Sequence, residues 1–325
     1  MMSIALVVLL QLASPRFASS FVVAPLKQIK HSHKSELRGL SSLSTNALSA
    51  TTTEKTVVSN VINQANNGSS ETTKNTAVRL SVNNKETNNA RIIFPGGGIF
   101  FYWQAGAASY LREAGYDLSS VRMSGASAGA LVATLTLTDV DFDEATRLAL
   151  SLAEEAGVWE RPLGLQGVWG PMIETWLNDL LPENAVEMVD DRLSLLVTAI
   201  PSFRTDRISS FNSKEDLVKC NMASVHLPWF LDGKLTSNFR DAPHVDGSFR
   251  AKPNDYFPEL NGQELSEDDD SLIILDWKAD PIMKGKAKDF VTLTSKEGIW
   301  GLVERGRSHA KIMDKRGAFD GIPRL

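Results

Sequence analysis

The chain has 325 residues, of which 42% are hydrophobic, an ordinary composition for a globular protein. Residues 1–90 carry a net charge of +5 (nine basic, four acidic residues), whereas residues 91–325 carry −10 (25 basic, 35 acidic). Nucleic acid and anionic lipid headgroups bind clustered Lys and Arg, so this acidic body argues against both as partners. Cys220 is the only cysteine, which excludes an intrachain disulfide and a cysteine metal cluster.

The first 50 residues have the pattern of a targeting sequence. Ile4–Leu12 is apolar apart from Gln11 and is too short to cross a bilayer, which takes ~20 residues. It fits the apolar core of a signal peptide in residues 1–20, with a buried strand or helix as the alternative. Residues 21–50 are basic and Ser-rich, and begin at Phe21. This order resembles the bipartite presequence of algae with secondary plastids and implies a plastid protein; secretion is the alternative.

Residues 51–90 are rich in Thr, Ser and Asn and contain no aromatic residue. Such a segment cannot bury enough apolar surface to offset the entropy of ordering the chain. We therefore predict a disordered linker here, followed by one folded domain over residues 91–325.

The domain begins with alternating strand and helix patterns. Arg91–Phe94 is a β-rich run followed by three glycines, and Gln104–Ala114 has a helical pattern. Ser120–Ser124 is a second short strand, and Ala128–Leu137 is a helix of small and apolar residues. A β-α-β-α beginning predicts an α/β domain with a parallel sheet.

The turn between the second strand and the second helix has the pattern G-x-S-x-G at Gly125, Ser127 and Gly129. In such a turn a serine nucleophile lies between a strand and a helix N-terminus, and the glycines remove side chains that would collide. The earlier glycines, Gly96–Gly98, present bare backbone N–H groups of the kind that stabilise an oxyanion. No Lys-Ser or Lys-Thr follows them, so the glycine loop does not match a phosphate-binding loop.

Two residues compete for the role of the base. The order Ser127, Asp246, His309 matches an α/β-hydrolase triad, but His309 stands in an Arg- and Lys-rich stretch that predicts a solvated helix. His31 and His33 belong to the presequence, so three of the five histidines remain in the predicted domain. Asp246 follows a short strand-like run in "APHVDGSF", which is how an acid is placed at the end of a parallel strand.

Three segments in order, "GGGIFFYWQAG", "GASAGAL" and "VDGSF", resemble the patatin-like phospholipases, including the adiponutrin-like branch. The resemblance covers residues 91–253. It implies a three-layer α/β fold with a central, mostly parallel sheet, and a serine lipid acyl hydrolase with a Ser–Asp dyad that needs no cofactor and no metal. It assigns Ser127 as nucleophile and Asp246 as base. The implied oxyanion-hole residues are Gly96, Gly97, Gly98 and Ala128.

The resemblance also implies a lipid substrate (phospholipid, galactolipid or triacylglycerol) met at a membrane or lipid-droplet surface. The sequence departs from the family loop at Phe100 and Phe101, where the family often has a basic residue and a glycine. This leaves the geometry of the oxyanion hole open. Two alternative functions remain: a Ser-His-Asp esterase that uses His309, and an inactive lipid-binding protein whose Phe pair closes over the site.

The remaining sequence predicts further elements of an α/β domain. Trp159, Trp169 and Trp176 either pack on the core or form an apolar wall for acyl chains. The other predicted elements are a helix capped by Asp141 and running to Ala156, a strand over Leu193–Ile200, a helix capped by Asn212, a strand over Ser271–Trp277 and a helix over Lys296–Gly317.

Overall fold

The computed structural model describes residues 90–260, 271–283 and 291–325. The predicted signal segment, transit segment and nearly all of the predicted linker lie outside these residues. Ala90, the last residue of the predicted linker, is buried.

Strands and helices alternate over the first part of the domain, as predicted. The strands are β1 (Arg91–Phe94), β2 (Arg122–Ala126), β3 (Leu193–Ala199), β4 (Arg204–Ile208), β5 (Ser237–Phe239), β6 (Ala242–Val245) and β7 (Leu272–Ile274). The helices are α1 (Phe101–Glu113), α2 (Ala128–Leu137), α3 (Phe142–Glu155), α4 (Trp169–Leu180), α5 (Ala185–Val189), α6 (Lys214–Ser224) and α7 (Lys296–Asp314).

The strands form one mixed sheet in the order β5-β6-β3-β2-β1-β7, with β4 paired to β3. The four consecutive strands β3, β2, β1 and β7 are parallel, which confirms the prediction from the β-α-β-α beginning. Strands β4 and β6 each pair antiparallel with β3, and β5 pairs antiparallel with β6. The predicted fold class, a three-layer α/β fold with a mostly parallel central sheet, is confirmed.

Alternate residues of β1 face opposite sides of this sheet, as the twofold period of a strand requires. Ile92 and Phe94 belong to the large hydrophobic core that the helices cover. Ile93 faces a second, smaller core completed by Tyr256 and Phe257. All residues of β1 are buried, so this strand is covered on both faces.

Helix α7 packs closely on α1, and the prediction that it is a solvated helix is wrong for one of its faces. Ile299, Val303, His309 and Ala310 are buried, and their spacing places an apolar stripe along one side. Glu304 and Lys311 are exposed on the other side. A Cβ on Gly306 would lie 1.8 Å from the Trp103 carbonyl oxygen, so the two backbones approach directly.

Helix boundaries match the sequence prediction where a cap is unambiguous. The extent of α2 is as predicted, and the Asp141 side chain accepts a hydrogen bond from the Glu144 N–H at 2.7 Å at the start of α3. Helix α6 is capped by Ser213, not by Asn212: the Ser213 hydroxyl accepts from the Asp216 N–H at 3.2 Å. Either residue suits a cap by type, so only the backbone geometry distinguishes them.

Further boundaries differ from the prediction. Strand β7 covers only Leu272–Ile274 of the predicted Ser271–Trp277, and Trp277 lies in a 3₁₀ turn. Helix α1 begins at Phe101, three residues before the predicted start. Strand β2 begins two residues late because Leu118–Ser120 forms a short 3₁₀ turn, capped by Asp117, whose carboxylate accepts from the Ser119 N–H.

Candidate active site

The register of the sheet brings the glycine loop and the serine turn to the same edge. Phe94, at the end of β1, pairs with Gly125 of β2. The segments that follow β1 and β2 therefore leave the sheet side by side. A Cβ on Gly96 would lie 3.3 Å from the Ser127 Cβ, which places the loop against the predicted nucleophile.

Ser127 has a backbone conformation that side-chain-bearing residues rarely adopt, with φ 54° and ψ −129°. Such strain persists only where the surroundings impose it, and it is typical of functional turns. The Ser127 N–H donates to the Ser224 hydroxyl at 2.9 Å, and that hydroxyl donates to the Leu196 carbonyl at 2.7 Å. Ser224 therefore anchors the turn, although nothing in the sequence singled it out.

The glycines of the serine turn are required by close packing. A Cβ on Gly125 would lie 2.2 Å from the Gly129 carbonyl oxygen. A Cβ on Gly129 would lie 2.0 Å from the Phe94 carbonyl oxygen. Any side chain at either position would collide with backbone, so the two glycines allow α2 to start directly over the sheet.

Asp246 reaches the same place by a different route from the predicted one. Strand β6 runs antiparallel to β3, not parallel, and pairs with it only through Val245 and His244. The Asp246 backbone is held on both sides: its carbonyl accepts from the Thr198 hydroxyl at 2.8 Å, and its N–H donates to the His226 carbonyl at 2.9 Å. An antiparallel strand thus delivers the acid to the serine turn.

The Asp246 carboxylate is buried, at 1% exposure, and one of its oxygens is fully engaged. Oδ1 accepts from the Ser248 N–H at 2.8 Å and from the Ser248 hydroxyl at 2.6 Å. Oδ2 has no partner in full hydrogen-bond geometry within the described part of the chain. Ser248 belongs to the segment "VDGSF" quoted above, and its hydroxyl contacts the acid.

Burial raises the pKa of Asp246, and the hydroxyls of Ser127 and Ser248 only partly offset this rise. The Ser127 hydroxyl is therefore close enough to act on the carboxylate, without the geometry of a formed hydrogen bond. Catalytic hydrogen bonds are often long until a substrate tightens them. A buried carboxylate with a raised pKa is a stronger proton acceptor than an ordinary aspartate.

The glycine loop turns sharply at Gly98, which has φ 54° and opens a 3₁₀ helix over Gly98–Phe100. Ala128 is the first residue of α2. The first N–H groups of a helix have no acceptor inside that helix. The start of the 3₁₀ helix and the start of α2 therefore both present donors beside Ser127. The structure brings together all the residues predicted for an oxyanion hole.

The two phenylalanines that depart from the family loop pack inward. Phe100 is 2% exposed and stacks on Trp277, with ring centroids 4.0 Å apart. Phe101 packs edge-to-face on Trp176 at 5.5 Å. Their contacts do not match the lipid-binding alternative, in which the Phe pair closes over the site.

Beside Ser127 and Asp246 opens a cavity of about 870 Å³. Trp159, Trp169 and Trp176 all line it, and Trp176 also belongs to the hydrophobic core. Both interpretations of these tryptophans therefore hold, because one face of the core is the wall of the cavity. The other apolar lining residues include Leu131, Leu150, Leu152, Met172, Ile173 and Leu227.

The histidine expected for a triad lies elsewhere. His309 is 7% exposed, and its Nδ1 is 3.7 Å from Asp280 Oδ1. Burial lowers its pKa, so the ring is neutral at pH 7. No histidine lines the cavity among the residues that the structure describes. His226 contributes its backbone carbonyl to Asp246, and the His244 ring contacts its own turn through the Ala242 carbonyl at 2.9 Å.

A metal-binding cluster and a membrane-spanning helix are both absent from the described ranges. Over residues 90–260, 271–283 and 291–325, no cluster of His, Cys, Asp and Glu is arranged to hold a metal ion. Over the same ranges, no helix has the length and apolar character needed to span a membrane.

Comparison with known proteins gives consistent matches. Residues 92–255 match the sequence model of the family described as patatin-like phospholipase. The chain is 29% identical over 161 residues to omega-hydroxyceramide transacylase of Mus musculus (49% of this chain, 27% of that protein). It is 31% identical over 159 residues to patatin-like phospholipase domain-containing protein 2 of Homo sapiens (48% and 31%).

A shorter relative is patatin-like phospholipase domain-containing protein 4 of Homo sapiens, 30% identical over 158 residues (47% of this chain, 62% of that protein). The chain thus spans less than two thirds of each of these relatives. Because the family model covers half of the chain, the fold and the matched residues lead to one conclusion: the chain belongs to the patatin-like phospholipase family.

Proposed function

We propose that this protein is a serine hydrolase that cleaves acyl esters of lipids with Ser127 as nucleophile and Asp246 as base. One observation carries the proposal: a buried carboxylate with a free oxygen lies beside a serine on a strained turn, at the wall of an apolar cavity. An apolar cleft with a few polar groups suits a lipid ester. The similarity to patatin-like phospholipase domain-containing protein 2 and to omega-hydroxyceramide transacylase supports the same substrate class.

In the proposed reaction, Ser127 Oγ attacks the ester carbonyl carbon while its proton passes to Asp246. The N–H groups of Gly97, Gly98 and Ala128 stabilise the oxyanion of the tetrahedral intermediate, and loss of one such donor typically lowers the rate roughly 10²–10³-fold. Gly96 has no side chain to separate the loop from the serine. The intermediate collapses, the ester C–O bond breaks, and the leaving alcohol takes the proton from Asp246.

The second half of the reaction reverses these roles. A water molecule attacks the acyl-serine and gives one proton to Asp246, and that proton returns to Ser127 Oγ as the fatty acid leaves. An acceptor alcohol in place of water would give transacylation through the same acyl-enzyme. In hydrolysis, both steps balance with these residues and water alone.

The test combines labelling with product analysis. A fluorophosphonate should label the wild-type protein at Ser127, and the folded Ser127→Ala variant should not be labelled. Incubation of both proteins with a total lipid extract, with and without an added acceptor alcohol, followed by mass spectrometry, identifies the released fatty acids and any new esters. Equal products from the wild-type and Ser127→Ala proteins would overturn the proposal.

We also propose that the enzyme works at a lipid surface, where its substrates are held. Leu163 is 65% exposed and lies two residues from Leu165, which lines the cavity. Exposed apolar side chains beside a lipid-binding cleft suit contact with a membrane or a lipid droplet. In co-flotation with artificial lipid droplets, Leu163→Asp should weaken binding, and Leu325→Asp, at an exposed residue of the chain end, serves as control. Equal binding of both variants would contradict this role.

For location, we propose entry into a plastid by way of residues 1–50. Those residues fused to a fluorescent protein should enter plastids in a host with complex plastids, and Phe21→Ala should divert the fusion. Import that ignores Phe21, or secretion of both fusions, would contradict the targeting proposal. In a separate test of the proposed linker, deletion of residues 21–88 should leave the thermal midpoint and the activity of the domain nearly unchanged.

A further inference from the structure

The cavity beside Ser127 has an inner end. Helix α2 leads away from Ser127, and on it Leu131 lines the cavity, whereas the fully buried Leu135, one turn further, does not. Helix α1 follows the same rule: Phe101 lines the cavity, and the fully buried Ala105, one turn later, does not. Within the ranges that the structure describes, both helices therefore lose contact with the cavity after about one turn.

The two outer helices, α3 and α4, also stop lining the cavity part of the way along their length. Helix α3 lines it with Ala149 and Ala153 but not with Ala145, one turn earlier. Helix α4 lines it from Trp169 to Trp176, a span of about 10 Å at a rise of ~1.5 Å per residue. Trp169 is half-exposed and Trp176 is only 5% exposed, so Trp169 marks the open end of the cavity and Trp176 the inner end.

Trp176 closes the gap between α3 and α4 at that inner end. Its Nε1 donates to the Ala145 carbonyl at 2.8 Å, which fixes the indole across the gap. Its ring also contacts Phe101 at 5.5 Å, and Phe101 contacts Phe142, the first residue of α3, at 6.4 Å between ring centroids. Ala145 and Phe142 are buried and do not line the cavity, so the indole of Trp176 is its end wall.

An end wall affects how an acyl chain gains affinity as it grows. Each methylene that leaves water for an apolar surface favours binding about fourfold. This gain continues only while the chain has room ahead of it. A chain that already reaches Trp176 must leave further methylenes in water or press them into a packed core, and neither adds affinity.

We propose that Trp176 limits the length of the acyl chain that the cavity accepts, so that kcat/KM passes through an optimum as the chain grows. This inference rests on the proposed function of Ser127 and adds a selectivity among esters of different chain length. Ala149 is placed to change the limit in the opposite direction. It lines the cavity one turn from the bond between Trp176 and Ala145, so a larger side chain there would extend into the space beside the end wall.

The first test uses saturated p-nitrophenyl esters from butyrate to stearate in the same detergent micelles. In the wild type, kcat/KM should rise with chain length to an optimum and then level off or fall. Trp176→Phe makes the end wall smaller and keeps an aromatic ring against Phe101. It should move the optimum to a longer ester and raise kcat/KM for that ester, relative to the wild-type optimum, at least about fourfold, the effect of one more buried methylene. A wild-type kcat/KM that rises steadily up to stearate, or an optimum that Trp176→Phe leaves in place, would overturn the inference.

Ala149→Leu is the matching change in the opposite direction. Leucine is a good helix former, and its larger side chain fills part of the cavity next to the end wall. The optimum should therefore move to a shorter ester. Opposite shifts in the two variants cannot come from a general loss of packing, which would lower kcat/KM for all chain lengths together. Shifts in the same direction would contradict the assignment of the end wall.

Two controls complete the experiment. Trp169→Phe makes the same change at the open end of α4, and any loss that it causes should be equal for all chain lengths. An optimum that moves as far in Trp169→Phe as in Trp176→Phe would show that Trp176 does not set the limit. Ser127→Ala tests the proposed function alone: it must be inactive on every ester if that function holds, whichever chain length the other variants prefer.

Discussion

Two buried aspartates of this domain are placed in opposite electrostatic surroundings. Asp280, at 0% exposure, lies between α1 and α7 and accepts from Trp103 Nε1 at 3.1 Å and from the Ile282 N–H at 3.0 Å. It also accepts from Nε and Nη2 of Arg305, one from each carboxylate oxygen. Asp246 lies at the cavity and is contacted by Ser248 and, more loosely, by Ser127. One carboxylate has a cation and the other has only hydroxyl and amide donors.

The pKa shifts follow from this difference. Burial alone would raise the pKa of Asp280, but the hydrogen bonds from Arg305 and Trp103 outweigh it, and the pKa is lowered. Burial raises the pKa of Asp246, and no cation reverses that effect. A buried carboxylate with a cation is permanently ionised and holds two helices together. A buried carboxylate without one remains able to take up a proton, which is what a base requires.

The largest expected effect comes from Asp246→Asn, which keeps the shape of the side chain and removes the base. Because positioned proton transfer contributes roughly 10²–10⁴ in rate, kcat should fall at least that far. Asp280→Asn is the matched change at the other buried carboxylate, and it should leave kcat per folded molecule within a few-fold. Steady-state hydrolysis of a lipid ester, with folding checked by circular dichroism, measures both. If the two variants lose activity equally, the distinction between the two carboxylates is wrong.

Next in size is the loss of the cation beside Asp280. Arg305→Met leaves a buried charge without its partner, and breaking such a pair typically destabilises a protein by about 3–5 kcal/mol. The free energy of unfolding, measured in urea at pH 7, should fall accordingly. Lys311→Met, at an exposed position of the same helix, is the control and should change it by less than about 1 kcal/mol. A small effect of Arg305→Met would show that Asp280 is solvated in solution.

At Asp246 we expect the opposite effect on stability: a substitution that removes the charge should stabilise the folded protein. The folded pKa is raised above the unfolded value of ~3.9, so folding is progressively weakened as the pH rises through the interval between these two values. Asp246→Asn carries no charge and escapes this loss. Its thermal midpoint should exceed that of the wild type at neutral pH, and the gap should narrow on acidification. A gap that is independent of pH would mean that Asp246 is not destabilised by burial.

A smaller effect is expected at Ser248, whose hydroxyl stabilises the ionised form of Asp246. Ser248→Ala removes this hydroxyl and keeps the backbone N–H, so the pKa of Asp246 should rise further. The acid limb of the kcat/KM profile should therefore move toward higher pH while the plateau changes little. A profile that moves toward lower pH would contradict the role of this hydrogen bond.

The smallest effect is expected from His309→Ala. The ring contacts Asp280 and Trp103 and does not line the cavity, so kcat should change by less than about tenfold. His226→Ala tests the second histidine in the same way, because only its backbone carbonyl contacts Asp246. Loss of several orders of magnitude in either variant would restore a histidine as base and overturn the Ser–Asp pair.

Short-range signals predicted much of this structure. The glycine loop, the serine turn and the extent of α2 follow from neighbouring residues, so they were readable from the sequence. The antiparallel direction of β6 was not, because strand direction depends on pairing with β3, more than 40 residues earlier in the chain. Ser224 and Trp277 act through contacts with segments distant in sequence, and no local pattern marks them. The burial of His309 was missed because the charged face of α7 dominates its composition.

Helix α2 is buried along all ten of its residues, from Ala128 to Leu137. Dissolved ions weaken the field of a helix only where they can approach it, within a Debye length of ~8 Å at physiological ionic strength. Ions cannot surround this helix, so the positive end that faces Ser127 keeps its strength in concentrated salt. The attack on the ester should therefore be nearly independent of ionic strength. Any salt dependence of turnover would arise earlier, when the acidic domain meets a charged lipid surface.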